Sequence, residues 1–159
     1  MAKTPSMLRY LHALLRDRED EIERHYLAIV AGRWPSGGRV IEAPLQRRDD
    51  RVAVDADGRR AHTRVAVRRR MGDRATLLDV RLLTGRKSQI RVHLKHAGHP
   101  IAGDDRYGDA EFNRRVAALG GTGLYLHAAK LVIPRREGTD LVVTAPTPRR
   151  WGRLLKAGL

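Results

Sequence analysis

The sequence contains no cysteine, which excludes disulfides, thiolate zinc sites and cysteine nucleophiles. Acidic residues are scarce: 18 Asp and Glu stand against 32 Lys and Arg, a formal net charge of +14. No apolar run approaches the roughly 20 residues a membrane-spanning helix needs. The basic opening, MAKTPSMLRYLHALLR, runs straight into DREDEIE, whereas organellar presequences avoid acids, so a cytoplasmic protein is expected. Nucleotide-loop glycines are missing too. GRKS at 85–88 lacks the upstream glycine of a P-loop, and neither Rossmann glycines nor a Gly-x-Ser-x-Gly elbow occurs.

What remains is a 159-residue chain with 42% hydrophobic residues, enough for one globular domain with a real core. A soluble domain this basic points to a polyanion, nucleic acid first and an anionic membrane surface second. Thr4-Pro5-Ser6 is a helix-start signal, with Met7, Leu8, Leu11, Leu14 and Leu15 at helical spacing behind it. HYLAIVAG at 25–32 reads as a buried strand ending at Gly32, followed by a turn at WPSGG. RVIEAPL reads as a short strand with Pro44 at its edge or exit. The 46–60 stretch carries the hairpin dipeptide Asp57-Gly58. AHTRVAVRRR and RATLLDVRLL are strands joined at Met71-Gly72-Asp73, and in the first Thr63, Val65 and Val67 alternate with Arg64, Ala66 and Arg68. A helix follows Thr84-Gly85 and stops near Gly98, with Ile90, Leu94 and Ala97 as its apolar stripe. GLYLHAAKLVIP and DLVVTAP are two more strands, and RRWGRLLKA a closing helix. The expected class is α+β, a mixed but largely antiparallel sheet flanked by helices.

The segment from 82 to 109, LLTGRKSQIRVHLKHAGHPIAGDDRYGD, concentrates cations. His93, His96 and His99 invite a metal reading, but His99 falls past the helix-ending glycine and no nearby carboxylate completes a plausible ligand set, so no metal is expected. Asp104-Asp105 suits magnesium or, more ordinarily for loop aspartates, turn capping. Arg86, Gln89 and Arg91 make an anion cradle, guanidinium forks being suited to phosphate; the plainer alternative is a solvated basic face.

At this segment the sequence resembles the pseudouridine synthases of the RluA type. TGRKSQIRVH at 84–93 and GHPIAGDDRYGD at 98–109 match the family's Thr-Gly-Arg-x-His-Gln-Ile-Arg-Val-His and Gly-His-Pro-Ile motifs, and DDRYGDAEFN is most like its ribosomal large-subunit branch. RHYLAIVAG at 24–32, LYLHAAKL at 124–131 and TAP at 144–146 also match, so the resemblance covers nearly the whole chain. Ser88 stands where the family usually has His. The resemblance implies the pseudouridine synthase fold, incomplete at the N-terminus, with residues 1–159 as the C-terminal portion of the catalytic domain. It implies isomerisation of uridine to pseudouridine in large-subunit 23S rRNA, with no metal or organic cofactor. Tyr26, Arg91 and Arg86 become catalytic candidates, and Arg86, Lys87, Gln89, Arg91, His93, Lys95 and Arg106 RNA-binding ones. Without the resemblance, Tyr26 is an ordinary core tyrosine. The family's nucleophilic aspartate lies in a His-Arg-Leu-Asp-x-x-Thr-Ser-Gly stretch upstream of AKT, which these 159 residues do not contain. The S4-like RNA-binding domain common in this branch is absent from them as well. Two alternatives therefore stand beside an active synthase: an inactive RNA-binding module, and a truncated remnant.

Overall fold

A computed structural model describes residues 5–18 and 21–159. The first helix, α1, spans Pro5–Asp17, where helical spacing places it; Thr4, the cap candidate, and the side chain of Met7 lie outside the described residues. Its leucine stripe is only partly used. Leu14 is buried, while Leu8 and Leu15 are 47% and 56% exposed. α1 meets the 134–136 segment through Tyr10, whose hydroxyl donates to the Pro134 carbonyl and whose ring lies under the Arg136 guanidinium at 5.5 Å.

Six strands form one antiparallel sheet: β1 (Glu23–Ala31), β2 (Arg39–Glu42), β5 (His62–Arg70), β6 (Ala75–Leu82), β7 (Leu126–Ile133) and β8 (Leu141–Thr144), in the order β2-β5-β6-β1-β7-β8. The apolar run Leu27-Ala28-Ile29-Val30 places β1 centrally: four consecutive buried residues require cover on both faces of the sheet. β5 keeps the expected alternation, with Thr63 and Val65 buried and Arg64 and Ala66 exposed. β3 (Leu45–Arg48) and β4 (Arg51–Val54) form a separate hairpin. Its tight turn is not at Asp57-Gly58 but at Asp49-Asp50, where Asp49 adopts a left-handed φ of 52°; aspartate tolerates that region better than most residues. Asp57-Gly58 instead brings the chain back after β4, so that Arg59 and Leu45 exchange backbone hydrogen bonds of 2.9 Å. A Cβ on Gly58 would lie 2.5 Å from the Leu45 carbonyl carbon, so the close return needs glycine.

Helix α2 (Gln89–His96) follows the loop after β6, and α3 (Ala110–Ala118) lies in a stretch where residue periodicity marks no element. Its cap is local chemistry: the Asp109 carboxylate accepts from the Phe112 amide at 2.7 Å. A 3-10 turn (Arg149–Trp151) and α4 (Gly152–Ala157) close the chain. One core joins the sheet to Ile90 and Leu94 of α2, Phe112 and Val116 of α3, and Trp151 and Leu154. A second, smaller cluster of Leu45, Val52, Ala61, Val92 and Tyr107 seats the hairpin against α2. No helix among the described residues is long and apolar enough to cross a membrane.

Trp151 is fully buried, its ring 5.4 Å from that of Tyr125. Trp151→Ala is expected to cost roughly 3–5 kcal/mol of stability, read as a shift of the urea midpoint at unchanged slope.

Candidate active site

The 84–88 loop enters α2 through Ser88, which sits at a left-handed φ of 56° and offers no side-chain cap. The turn is held by Gln89 instead. Its Oε1 accepts from the Thr84 hydroxyl at 2.9 Å and the Arg86 amide at 3.0 Å, while its Nε2 donates to the His62 carbonyl and to Thr63 Oγ1, both at 2.9 Å. Thr63 in turn donates to His93 Nδ1 at 2.8 Å, and His93 Nε2 donates to the Ala43 carbonyl at 2.8 Å. The direction follows from the ends of the chain, because a carbonyl can only accept. Thr63, Gln89 and His93 are all buried.

This network places two of the RNA-binding candidates, Gln89 and His93, inside the protein. Both have their polar atoms engaged there. Their task is to hold the loop and helix in place. The three histidines also fail to converge: His99 Nδ1 bonds the Ala31 carbonyl at 2.8 Å, and His96 is exposed. Among the described residues no group of three His, Cys, Asp or Glu could hold a metal ion.

Arg91 projects from α2 onto Asp104 in a two-point contact, Nε to Oδ2 at 2.8 Å and Nη2 to Oδ1 at 2.7 Å. Asp104 has only 1% of its side chain exposed, against 24% for Arg91. Its Oδ1 also accepts from the amides of Arg106 at 3.0 Å and Tyr107 at 2.9 Å. Burial pushes the carboxyl upward, but the Arg91 hydrogen bonds, the two amides and the Arg91 charge outweigh it and hold Asp104 below the usual carboxylate range. The same hydrogen bonds raise Arg91. The Tyr107 ring lies under the guanidinium at 5.0 Å, and its hydroxyl accepts from the Val52 amide at 2.9 Å. Asp104 is thus a turn cap and an ion-pair partner at once. The DDRYGD stretch carries the capping signal, but the partner on α2 is visible only in three dimensions.

Tyr26, Leu82, Arg86, Ser88, Ile90, Arg91 and Leu126 surround an open hollow of about 150 Å³ that Gln89 also borders. All three catalytic candidates therefore meet. β7 carries an extra residue opposite the His25–Tyr26 step: His25 pairs with Lys130 and Tyr26 with Ala128, leaving Ala129 unpaired. Such bulges re-aim neighbouring side chains. Arg86 Nε donates to the Arg60 carbonyl at 3.2 Å, and neither Nη has a partner among the described residues. Arg91 keeps Nη1 uncommitted there as well. Lys87 and Lys95 are exposed but do not line this hollow. Arg106 is committed to the hairpin turn, donating to the Asp50 carbonyl at 2.7 Å and carboxylate at 3.1 Å.

Two outcomes test this framework. Asp104→Asn removes the buried counter-ion of Arg91, leaving it only the exposed Asp105 carboxylate at 4.0 Å, and is expected to cost about 3 kcal/mol, measured by urea denaturation at neutral pH. Burial holds His93 below the ordinary imidazole value of 6.5. A base with a depressed pKa in the folded state binds fewer protons there than when unfolded. Its contribution to stability is thus complete above pH 6.5 and declines as pH falls below it. His93→Gln should flatten the melting temperature over pH 5–7 relative to the unmodified chain; identical slopes would exclude His93 as the titrating group.

A family model described as RNA pseudouridylate synthase matches residues 1–96. The ribosomal large subunit pseudouridine synthase C of Escherichia coli (strain K12) is 45% identical over 160 residues, covering 96% of this chain and 49% of that protein. Its Pasteurella multocida (strain Pm70) counterpart is 38% identical over 163 residues, covering 99% and 49%. The chain spans about half the length of these relatives. Among solved structures, human RNA pseudouridylate synthase domain containing 1 superposes with a TM-score of 0.77 at 22% identity, over 91% of this chain and 62% of that one. With the family model covering more than half of its residues, the chain belongs to the RNA pseudouridylate synthase family.

Proposed function

We propose that residues 1–159 form the tyrosine-and-arginine portion of a catalytic domain that isomerises uridine to pseudouridine in large-subunit 23S rRNA, in the cytoplasm. The observation carrying this reading is the single hollow that joins Tyr26 to Arg86 and Arg91. The reaction breaks the bond between ribose C1′ and base N1 and forms one between C1′ and C5. The C5 proton leaves and N1 takes one up. Because C1′ is unreachable inside a stack, the uridine must first turn out of the RNA. In the hollow its ring faces Tyr26, whose hydroxyl assists removal of the C5 proton.

The initiating carboxylate is, by the family resemblance, in the His-Arg-Leu-Asp stretch outside these 159 residues. Arg91 is braced by Asp104 and keeps Nη1 for that carboxylate, a neighbouring cation favouring its ionised form. Arg86, with two free nitrogens, is left for RNA. Asp104 itself is locked between Arg91 and two amides and is not the nucleophile.

The test is a chimera in which the N-terminal half of the Escherichia coli relative, up to the start of the match, is joined ahead of Met1. The chimera is expected to convert uridine in a 23S rRNA transcript, and Tyr26→Phe to slow conversion by roughly 100-fold or more. The 159-residue chain alone is expected to retain the transcript in a salt-sensitive way without forming pseudouridine. Conversion by the chain alone, or full activity of the Tyr26→Phe chimera, would overturn the assignment.

A further inference from the structure

A second hollow, of about 250 Å³, lies between the β3–β4 hairpin and the 85–87 loop. Arg47, Arg59, Arg86 and Lys87 surround it over a floor that includes Leu45 and Val52, and no acidic residue among the described residues lines it. Arg59 and Lys87 have no side-chain partner among the described residues. Arg47 uses only Nε, on the Asp49 carbonyl at 3.1 Å, and Arg86 only Nε, on the Arg60 carbonyl. The neighbouring Arg48 differs, being paired with Asp55. Four crowded cations without a counter-charge repel one another, and an anion relieves the repulsion.

Hydrogen bonds to the backbone hold three of the four in place. Arg47 lies two residues along β3 from Leu45, hence on the same face, and the Leu45–Arg59 bridge sets Arg59 beside it. The Gln89 side chain holds the Arg86 amide. The hairpin is tied to the neighbouring site, because Tyr107 accepts from the Val52 amide and Arg106 grips Asp50, both in the turn that supplies Asp104 to Arg91. Arg86 borders this hollow and the Tyr26 hollow alike.

We propose that this hollow is a phosphodiester site, holding the RNA backbone next to the nucleotide whose base enters the Tyr26 hollow. It rests on the RNA reading above and adds to it Arg47 and Arg59, along with a direction for the strand across Arg86. Guanidinium forks suit phosphate oxygens in two-point contacts.

The test measures binding of a labelled single-stranded RNA oligonucleotide to the 159-residue chain across a salt series. Arg47→Gln/Arg59→Gln is compared with Arg149→Gln/Arg153→Gln, an equal loss of charge at exposed positions of the C-terminal segment. With two phosphate contacts removed from a single strand, the slope of log affinity on log salt should flatten by about 1.4, and affinity near 0.1 M salt should fall roughly tenfold. Flattening no greater than in the comparison pair overturns the site and leaves the RNA reading intact. Absence of RNA binding by the unmodified chain overturns both. Uridine monophosphate bound as tightly as the strand overturns the strand assignment in favour of a free phosphate ester. Should the double variant not fold, dicarbonyl labelling of the unmodified chain decides. RNA is expected to protect Arg47 and Arg59 but not Arg149 and Arg153, and equal labelling of all four overturns the site.

Discussion

The two-point contact between Arg91 and Asp104 ties three parts of this molecule to one another. Arg91 is presented by α2; Asp104 opens a turn whose amides it also caps. That turn sends Tyr107 under the guanidinium and Arg106 onto the hairpin, so one ion pair sets the mutual positions of helix, turn and hairpin. A pair this buried contributes little net stability against an apolar replacement of the same shape. Its value lies in geometry: two parallel hydrogen bonds define the guanidinium plane as well as its position. A side chain held in a known plane, with one edge left free, is what recognition of a second anion requires.

Beside the pair runs a neutral counterpart, from Gln89 through Thr63 and His93 to the Ala43 carbonyl. Each member is satisfied, which is the condition under which a buried polar chain adds order rather than instability. Together the two arrangements explain how the 84–88 loop, containing a serine in a left-handed conformation, keeps a defined shape. The strain at Ser88 is local, and the bonds that oppose it come from β5, the loop itself and α2.

Much of the fold was legible from residue order, because β1, β5 and β6 carry apolar periodicities that only a sheet satisfies, and α2 is bracketed by Gly85 and Gly98. What escaped was set by contacts rather than by period. α3 shows only a local cap at Asp109, and the β3–β4 turn uses Asp49, a residue without glycine's strong signal. At the site, Tyr26, Arg86 and Arg91 came from motif resemblance and do share one hollow. The burial of Gln89 and His93 is not legible, because polar residues in a basic segment read as surface groups, and nothing in linear order reveals that Thr63 and Ala43 wait to receive them. Arg47 and Arg59 are inconspicuous for the opposite reason: in a chain so rich in arginine, two more carry no distinguishing mark until the fold sets them near Arg86.

The extra residue in β7 has a consequence for how this chain tolerates change. Side-chain direction alternates along a strand, so Ala129 acts as a parity switch. The residues at 126–128 and those at 130–133 keep time with β1 only because one position between them is skipped. A deletion of Ala129 would leave the pairs on either side in step, Ala128 with Tyr26 and Lys130 with His25, and would remove only the local kink. A deletion at a paired position such as Leu131 would instead slip the rest of the strand by one residue and turn its side chains over. The extra residue is thus a local spacer: the strand can lose it and keep its partners, but the backbone opposite Tyr26 cannot keep its bend without it.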